Sequence, residues 1–259
     1  MKSNIVAIIN QKGGVGKTTT SINLGHGLAI LGKKVLLIDL DPQAHSTIVL
    51  APNRLPFALT IQDVLIDRSD IRHAVVRTSI DNLDLVPSNI HLDRAEHILI
   101  PEMFRETRLS QALAGMDYDF ILIDCRPTLG ILSINALYAS GIVLIPCETA
   151  RFSLEGFADL LNTVKLLKRG KDDSEQLLLR ILLCKFDPRK AISNDWVLKQ
   201  LETHKTLLFK TRVRQCEALN QAHMARESIF IFKPNSHGAE DYMNLGKEFL
   251  ELCFPSEKN

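Results

Sequence analysis

The sequence is short of several things, and each shortage removes a class of protein. It has five cysteines, one tryptophan and three tyrosines in 259 residues. The cysteines (Cys125, Cys147, Cys184, Cys216 and Cys253) are scattered 22 to 37 residues apart. They form no C-x-x-C pair and no Cys/His cluster at metal spacing, which excludes a disulfide-stapled or zinc-stabilised domain. Buried thiols in a reducing compartment are what remains. No stretch approaches the ~20 apolar residues of a transmembrane helix. The apolar run after Asn4 is too brief for a secretory signal, so a cytoplasmic protein is expected. Excess charge is also missing: 31 Lys and Arg against 30 Asp and Glu leave +1, which rules out a polycation that coats nucleic acid by bulk charge. At 46% apolar residues the chain is too hydrophobic to be disordered. It has no internal repeat and no Pro/Gly/Ser-rich linker, so residues 1–259 are read as one domain.

Short β-rich runs alternate with helical stretches. Strands are expected at Ile5–Ile9, Val35–Asp39, Leu83–Pro87, Phe120–Asp124, Ile142–Pro146, Leu178–Cys184 and Leu207–Thr211. Most are near-continuous Val, Ile and Leu, which suits strands covered on both faces. Helices are expected at Thr18–Leu31, stopped by Gly32; at Pro101–Met116, opened by its proline; and at Ser153–Lys168, Ile192–His204 and Ala239–Cys253. The alternation predicts an α/β fold with a doubly wound, mostly parallel sheet. The less regular Ala51–Asn82 segment is a candidate surface excursion. The last helix carries Tyr242, Leu245, Phe249 and Leu252 on one face. Its other face has Glu240, Asp241, Lys247, Glu248 and Glu251, too acidic for a membrane-surface anchor, so that helix is expected to pack on the sheet.

One motif carries most of the chemistry. Gln11-Lys12-Gly13-Gly14-Val15-Gly16-Lys17-Thr18-Thr19 follows an apolar strand and opens a helix, the context of a phosphate-binding loop. Its glycines let backbone N–H groups turn inward, and the helix adds its positive dipole end. Lys17 then reaches the β- and γ-phosphates and Thr18 a Mg²⁺ ion. The usual loop has glycine where this one has Gln11, and it lacks the second lysine, Lys12. Lys12 is too far round the loop to duplicate Lys17 and is placed to point across an interface. Two acids end the second strand, Asp39 and Asp41, where α/β sheets bind ligands. Asp124 ends the strand Phe120-Ile121-Leu122-Ile123, the usual form of the second magnesium carboxylate in P-loop NTPases.

The Lys-Gly-Gly-x-Gly-Lys-Thr loop resembles the signature of the ParA/MinD class of P-loop ATPases, with chromosome- and plasmid-partitioning ATPases of the ParA/Soj type the best match. The resemblance implies an ATP-dependent homodimer in which Lys12 reaches the partner subunit's phosphates. Asp39-Leu40-Asp41-Pro42-Gln43 looks like the family's Asp-x-Asp-Pro-Gln switch, in which Asp39 holds the Mg²⁺ shell and Asp41 orients the attacking water. Cys125-Arg126-Pro127-Thr128-Leu129-Gly130 is similar to its second switch. Gly130 there implies a backbone N–H near the γ-phosphate, but Arg126 replaces a proline. The stretch from Ile145 to Gly156 resembles one near the family's dimer face, with Arg151 in place of an aromatic.

In the last third, Lys185-Phe186-Asp187-Pro188-Arg189 resembles the family's Met-Tyr-Asp-x-Arg, whose arginine binds nonspecific DNA, which implies that role for Arg189. Thr211–Ala222 looks like a loop that lies by the adenine in relatives, which makes Arg214 a nucleotide contact by resemblance. The family's second DNA-binding arginine falls on Ala218, and Arg212 and Arg214 are its candidate substitutes. Residues 180–233 hold eleven Lys and Arg and five Asp and Glu, +6 in a chain of +1. Doubled in a dimer, such a positive face suits backbone phosphate without base readout. The expected function is thus an ATP- and Mg²⁺-dependent dimerising ATPase that binds DNA on the nucleoid and is stimulated by a ParB-like adaptor. No helix-turn-helix extension precedes the loop, which argues against an operator repressor. A membrane-cycling ATPase like MinD and a metabolic ligase such as dethiobiotin synthetase are the rival classes on the same loop, though such ligases lack a lysine equivalent to Lys12. An iron–sulfur reductase is a third, but Cys125 is at the wrong offset for it.

Overall fold

The computed structural model describes residues 4–51, 56–148, 154–168 and 177–253. A seven-stranded sheet runs through it in the order β3-β4-β2-β5-β1-β6-β7. The strands are β1 (Ile5–Ile8), β2 (Val35–Leu40), β3 (Val76–Arg77), β4 (Leu83–Val86), β5 (Phe120–Cys125), β6 (Ile142–Glu148) and β7 (Leu178–Cys184). All neighbours pair in parallel except the short edge strand β3, which is antiparallel to β4. The helices are α1 (Lys17–Ile30), α2 (His45–Leu50), α3 (Ile61–Ile66), α4 (Ile71–Ala74), α5 (Leu92–Leu99), α6 (Arg108–Ala112), α7 (Ile131–Ala139), α8 (Leu154–Lys168), α9 (Ala191–Gln200), α10 (Glu217–Met224), α11 (Ile229–Phe232) and α12 (His237–Cys253).

The sheet is buried on both faces, as its unbroken apolar runs require. Successive residues of one strand enter opposite cores. Ala7, Leu36, Ile38, Ile121 and Ile123 face α3, α5, α6, α7 and α8. Val6, Ile8, Val35, Leu37, Phe120 and Leu122 face α1, α2 and α10 to α12. Tyr242, Leu245 and Phe249 of α12 are all at most 1% exposed, so its apolar face is spent on the sheet core. Among the described residues, no helix is long and apolar enough to cross a membrane.

Several elements differ from the sequence expectation. Leu207–Thr211 is not a strand of the sheet. A 3₁₀ helix covers Glu202–Leu207, and Leu208 makes one isolated bridge to Ile181. The amides of Lys210 and Thr211 donate instead to the Glu248 carboxylate, at 2.7 and 2.8 Å, and that capture interrupts the pairing, which resumes where the Val213 amide donates to the Leu183 carbonyl at 2.9 Å. The expected Pro101–Met116 helix shrinks to α6, preceded by a 3₁₀ turn at Arg105–Thr107. Phe104 adopts φ 56° and breaks the run, and Pro101 follows the end of α5 as a helix stop rather than a start. The segment 51–82 is no surface excursion where it is described. Ile61, Val64 and Leu65 of α3 are buried. Thr60 caps that helix reciprocally with Asp63, donating its N–H to Asp63 Oδ2 at 2.7 Å.

Candidate functional site

The parallel strands β1, β2 and β5 end at the same edge, and the loops leaving them build a cleft of about 830 Å³. It is lined by Gly13 to Thr19 of the phosphate loop (Val15 apart), by Asp41, and by Arg126 from the segment after β5. The loop has the backbone that a phosphate cradle needs. Gly14 and Gly16 take φ of 73° and 99°, a left-handed conformation that side chains oppose. Gly16 is the N-cap of α1 and has no side chain to satisfy the first amides, which leaves those donors facing the cleft. Val15 is buried and anchors the loop.

The two loop lysines are disposed differently. Lys17 is 7% exposed and donates from Nζ to the carbonyl of Lys12 at 3.0 Å. Burial pulls its pKa below the ordinary lysine value, opposed by the charge of Asp124. Lys12 lies on the exposed side of the loop. A second, more apolar cavity of about 220 Å³ opens beside it, between the loop and α8, lined by Val15, Ile145, Phe157 and Leu160. Gly156 also lines that cavity, while Arg151 lies outside the described residues.

Asp39 and Asp124 stand side by side on β2 and β5, in register, and both are fully buried. Burial raises the pKa of each, and for Asp39 the neighbouring Asp124 raises it further. Hydroxyls hold both carboxylates in place. Ser21 Oγ and Ser46 Oγ donate to Asp124 at 3.0 and 2.7 Å, and Thr18 is a further donor to it. Thr47 donates from both N and Oγ1 to Asp39 Oδ2, at 2.8 and 2.7 Å. Two buried acids that are costly to ionise without a balancing charge, held by hydroxyl donors beside a phosphate cradle, fit a hard cation that takes its other ligands from phosphate and water. Among the described residues no cluster of three or more His, Cys, Asp or Glu is set to hold a metal alone. Asp41 lines the cleft, half-buried, and accepts from the Gln43 amide at 2.9 Å. Gly130 is the N-cap of α7.

Sequence reasoning missed Ser21, Ser46 and Thr47 because nothing in their local pattern separates them from ordinary helix residues. It also missed a tie across the loop's crown. Lys185, at the end of β7, donates from Nζ to the Gly14 carbonyl at 2.7 Å and lies 3.5 Å from Glu148. The lysine stands in the stretch matched to the family's Met-Tyr-Asp, and that change was the available signal.

The three candidate DNA arginines gather around the end of β7. Arg189 is 89% exposed at its side chain and pairs with Asp187, Nε to Oδ1 at 2.9 Å. Arg212 stacks its guanidinium over Phe186, 4.6 Å from the ring centre. Arg214 is the most committed. Its Nε donates to both Asp241 oxygens at 3.0 Å, and its Nη2 reaches Glu240. That pairing raises the Arg214 pKa and lowers that of Glu240. Arg214 also lines a small pocket with Gly16, Thr19 and Tyr242 at the cleft's end. Ala218, at the family's second arginine position, is buried.

A parallel sheet with a glycine loop at a helix N-terminus and paired acids on neighbouring strand ends defines a P-loop nucleoside-triphosphatase. The AAA domain family matches residues 3–177. The sporulation initiation inhibitor protein Soj of Bacillus subtilis (strain 168) is 40% identical over 246 residues, covering 94% of this chain and 97% of Soj. The chromosome partitioning protein ParA of Myxococcus xanthus is 36% identical, covering 97% and 89%. A crystal structure of cobyrinic acid a,c-diamide synthase from Mycobacterium smegmatis, with bound ADP and magnesium, superposes with a TM-score of 0.84 at 30% identity, covering 100% and 98%. The same synthase has also been solved with an ATP analogue and magnesium. The chain belongs to the ParA/Soj family of P-loop ATPases.

Proposed function

We propose that this chain is an ATP-driven partitioning switch that pairs with a second copy of itself around ATP and, so paired, holds DNA nonspecifically. The observation that carries the reading is the opposite disposition of the loop's two lysines: Lys17 is buried in the cleft and Lys12 stands on the exposed side of the same loop.

ATP lies along the loop, its phosphates on the amides of Gly13 to Thr19 and on Lys17 Nζ. Lys17 Nζ donates to the Lys12 carbonyl at 3.0 Å, and a bound phosphate would compete for that donor. Thr18, Asp39 and Asp124 are the residues that would hold Mg²⁺, which supplies neutralising charge to the phosphates. Asp41 orients the attacking water, and the Gly130 amide faces the γ-phosphate. Lys12 adds its charge to the partner subunit's phosphates, so the pair is stable only with nucleotide in place. That is a differential affinity between two states, the requirement for any ligand-driven switch. Arg189 and Arg212, with Arg214 at the base end of the cleft, supply the positive face for DNA on the nucleoid. A ParB-like adaptor would stimulate hydrolysis, release the pair and so move chromosome, plasmid or another cargo. The buried face of α12 supports this reading over a membrane-cycling one.

The test is DNA retention with ATP, with ADP and with neither, across a salt series. Retention only with ATP is expected, with a steep salt slope. Arg189→Ala should flatten that slope by about 2 in a dimer, one phosphate contact per protomer. Light scattering on Lys12→Ala should find ATP bound to a monomer, whereas Lys17→Ala should bind no nucleotide. An unchanged ATP-dependent dimer in Lys12→Ala refutes the cross-subunit role.

A further inference from the structure

The cleft contains a cation that the proposed chemistry does not use. Arg126 leaves β5 two residues after Asp124 and lines the same cleft as Lys17, Thr18 and Asp41. Its side chain is 19% exposed. Its Nη1 lies 3.2 Å from Asp93 Oδ1 and 3.0 Å from Glu96 Oε2, both on α5. This arrangement is incomplete on both sides. Arg126 Nε is buried with no hydrogen-bond partner, and so is Glu96 Oε1. Glu96 Oε1 occupies the place where a β-carbon on Gly130 would stand. It is therefore wedged against the residue that opens α7, a nine-residue helix.

A carboxylate between a guanidinium and a helix N-terminus occupies a place suited to an anion. The groups around it are poorly served by that carboxylate. One donor of the guanidinium goes unused, and buried unpaired polar atoms cost free energy. Asp93, 58% exposed at its side chain, contributes little as a screened surface partner. An incoming phosphate with three acceptor oxygens would serve the same guanidinium better.

We propose that Arg126 is a ligand for the terminal phosphate of ATP, kept in reserve by Asp93 and Glu96, and that it sets the preference for ATP over ADP. The proposal rests on the cleft binding ATP as read above. The loop amides and Lys17 hold the phosphates common to both nucleotides. Arg126 lines the same cleft two residues beyond Asp124, and a third phosphate is the group that would engage it. ATP exchanges the Arg126–Glu96 pair for an Arg126–phosphate pair and frees α5. ADP leaves the pair closed. The two acids act as an internal competitor, so α5 responds to the third phosphate alone.

The experiment is calorimetric titration of the full-length chain with Mg²⁺ and either ADP or a slowly hydrolysed ATP analogue. In Arg126→Gln the analogue should bind about tenfold or more weakly, the loss of one charge-assisted contact, while ADP changes less than about twofold. Arg126→Lys should recover part of the preference. Glu96→Gln, which removes the competitor, should tighten the analogue by about threefold or more and leave ADP unchanged. The Glu96→Gln gain should vanish in the double variant with Arg126→Gln. A merely structural role for Arg126 would weaken both nucleotides together. Unchanged preference in Arg126→Gln, or unchanged analogue affinity in Glu96→Gln, overturns the proposal alone. Wild-type protein that binds neither nucleotide overturns the ATP reading and this proposal with it.

Discussion

At the scale of single residues, His26 shows how tertiary packing converts a titratable group into a stability device. It lies in the middle of α1, 9% exposed, with Nδ1 2.5 Å from Ser228 Oγ and its ring edge-on to Phe230. Burial pulls its pKa down to about 4. The unfolded chain protonates His26 near pH 6.5, so stability is fully present above that pH and is lost as pH falls towards 4. The loss should reach on the order of 2 kcal/mol by pH 4.5. Urea unfolding of wild type and His26→Gln at pH 7 and pH 4.5 isolates it, because other titrating groups cancel between the two proteins. Equal pH dependence in both would remove His26 as the cause. The loop glycines, Lys17 and the paired acids could be picked out from spacing, since backbone conformation and strand ends are local properties. Ser46 could not, because what makes it matter is the Asp124 carboxylate 78 residues further on, and Thr47 could not, because its bond to Asp39 depends on how α2 folds back on β2.

At the scale of elements, a helix could be foreseen where an apolar stripe repeats over enough turns. α12 satisfies this, and α1, buried nearly all round, is marked instead by the phosphate loop that opens it and by Gly32 that stops it; both ranges come close to expectation. α7 offers no such stripe. Its sequence, Ile-Leu-Ser-Ile-Asn-Ala-Leu-Tyr-Ala, is apolar nearly all round and so carries no helical period to read. Its polar residues face inward: Asn135 accepts from the Leu109 amide at 3.1 Å and donates to the Arg105 carbonyl at 2.8 Å. The short helices α2 to α4 are below the length at which periodicity can be read. α12 also offers a direct test of what joins it to the sheet. Phe249 is 1% exposed and meets Phe120 of β5 edge-on, ring centres 5.4 Å apart. Phe249→Ala should cost about 3–5 kcal/mol, the range for emptying a buried aromatic site. Thermal and urea unfolding measure it, and a loss below about 1 kcal/mol would mean that α12 is not docked as described.

At the scale of the whole molecule, charge and catalysis meet at the edge where the strands end. The chain is nearly neutral, yet residues 180–233 carry +6, and α12 meets that stretch with Asp241 and Glu240 at Arg214. The positive face therefore depends on Arg189 and Arg212 more than on Arg214. If the paired form persists until a water is oriented, then Asp41→Ala should keep ATP and the dimer while hydrolysis falls by about 10²-fold or more. Light scattering and phosphate release measure the two halves of that statement. Faster hydrolysis in Asp41→Ala would dismiss the water-orienting role.

The amino-acid order alone determined the parallel α/β plan, the phosphate loop and the strand-end acids, because each depends on contacts within a few residues or on burial of both sheet faces. Only the tertiary structure decided which hydroxyls hold the acids, where Glu248 stops a would-be strand, and that Arg126 is held by α5. Apart from Thr47 on Asp39, these hydrogen bonds join residues 33 to 103 positions apart, and no local pattern encodes which distant side chain a polar group will meet.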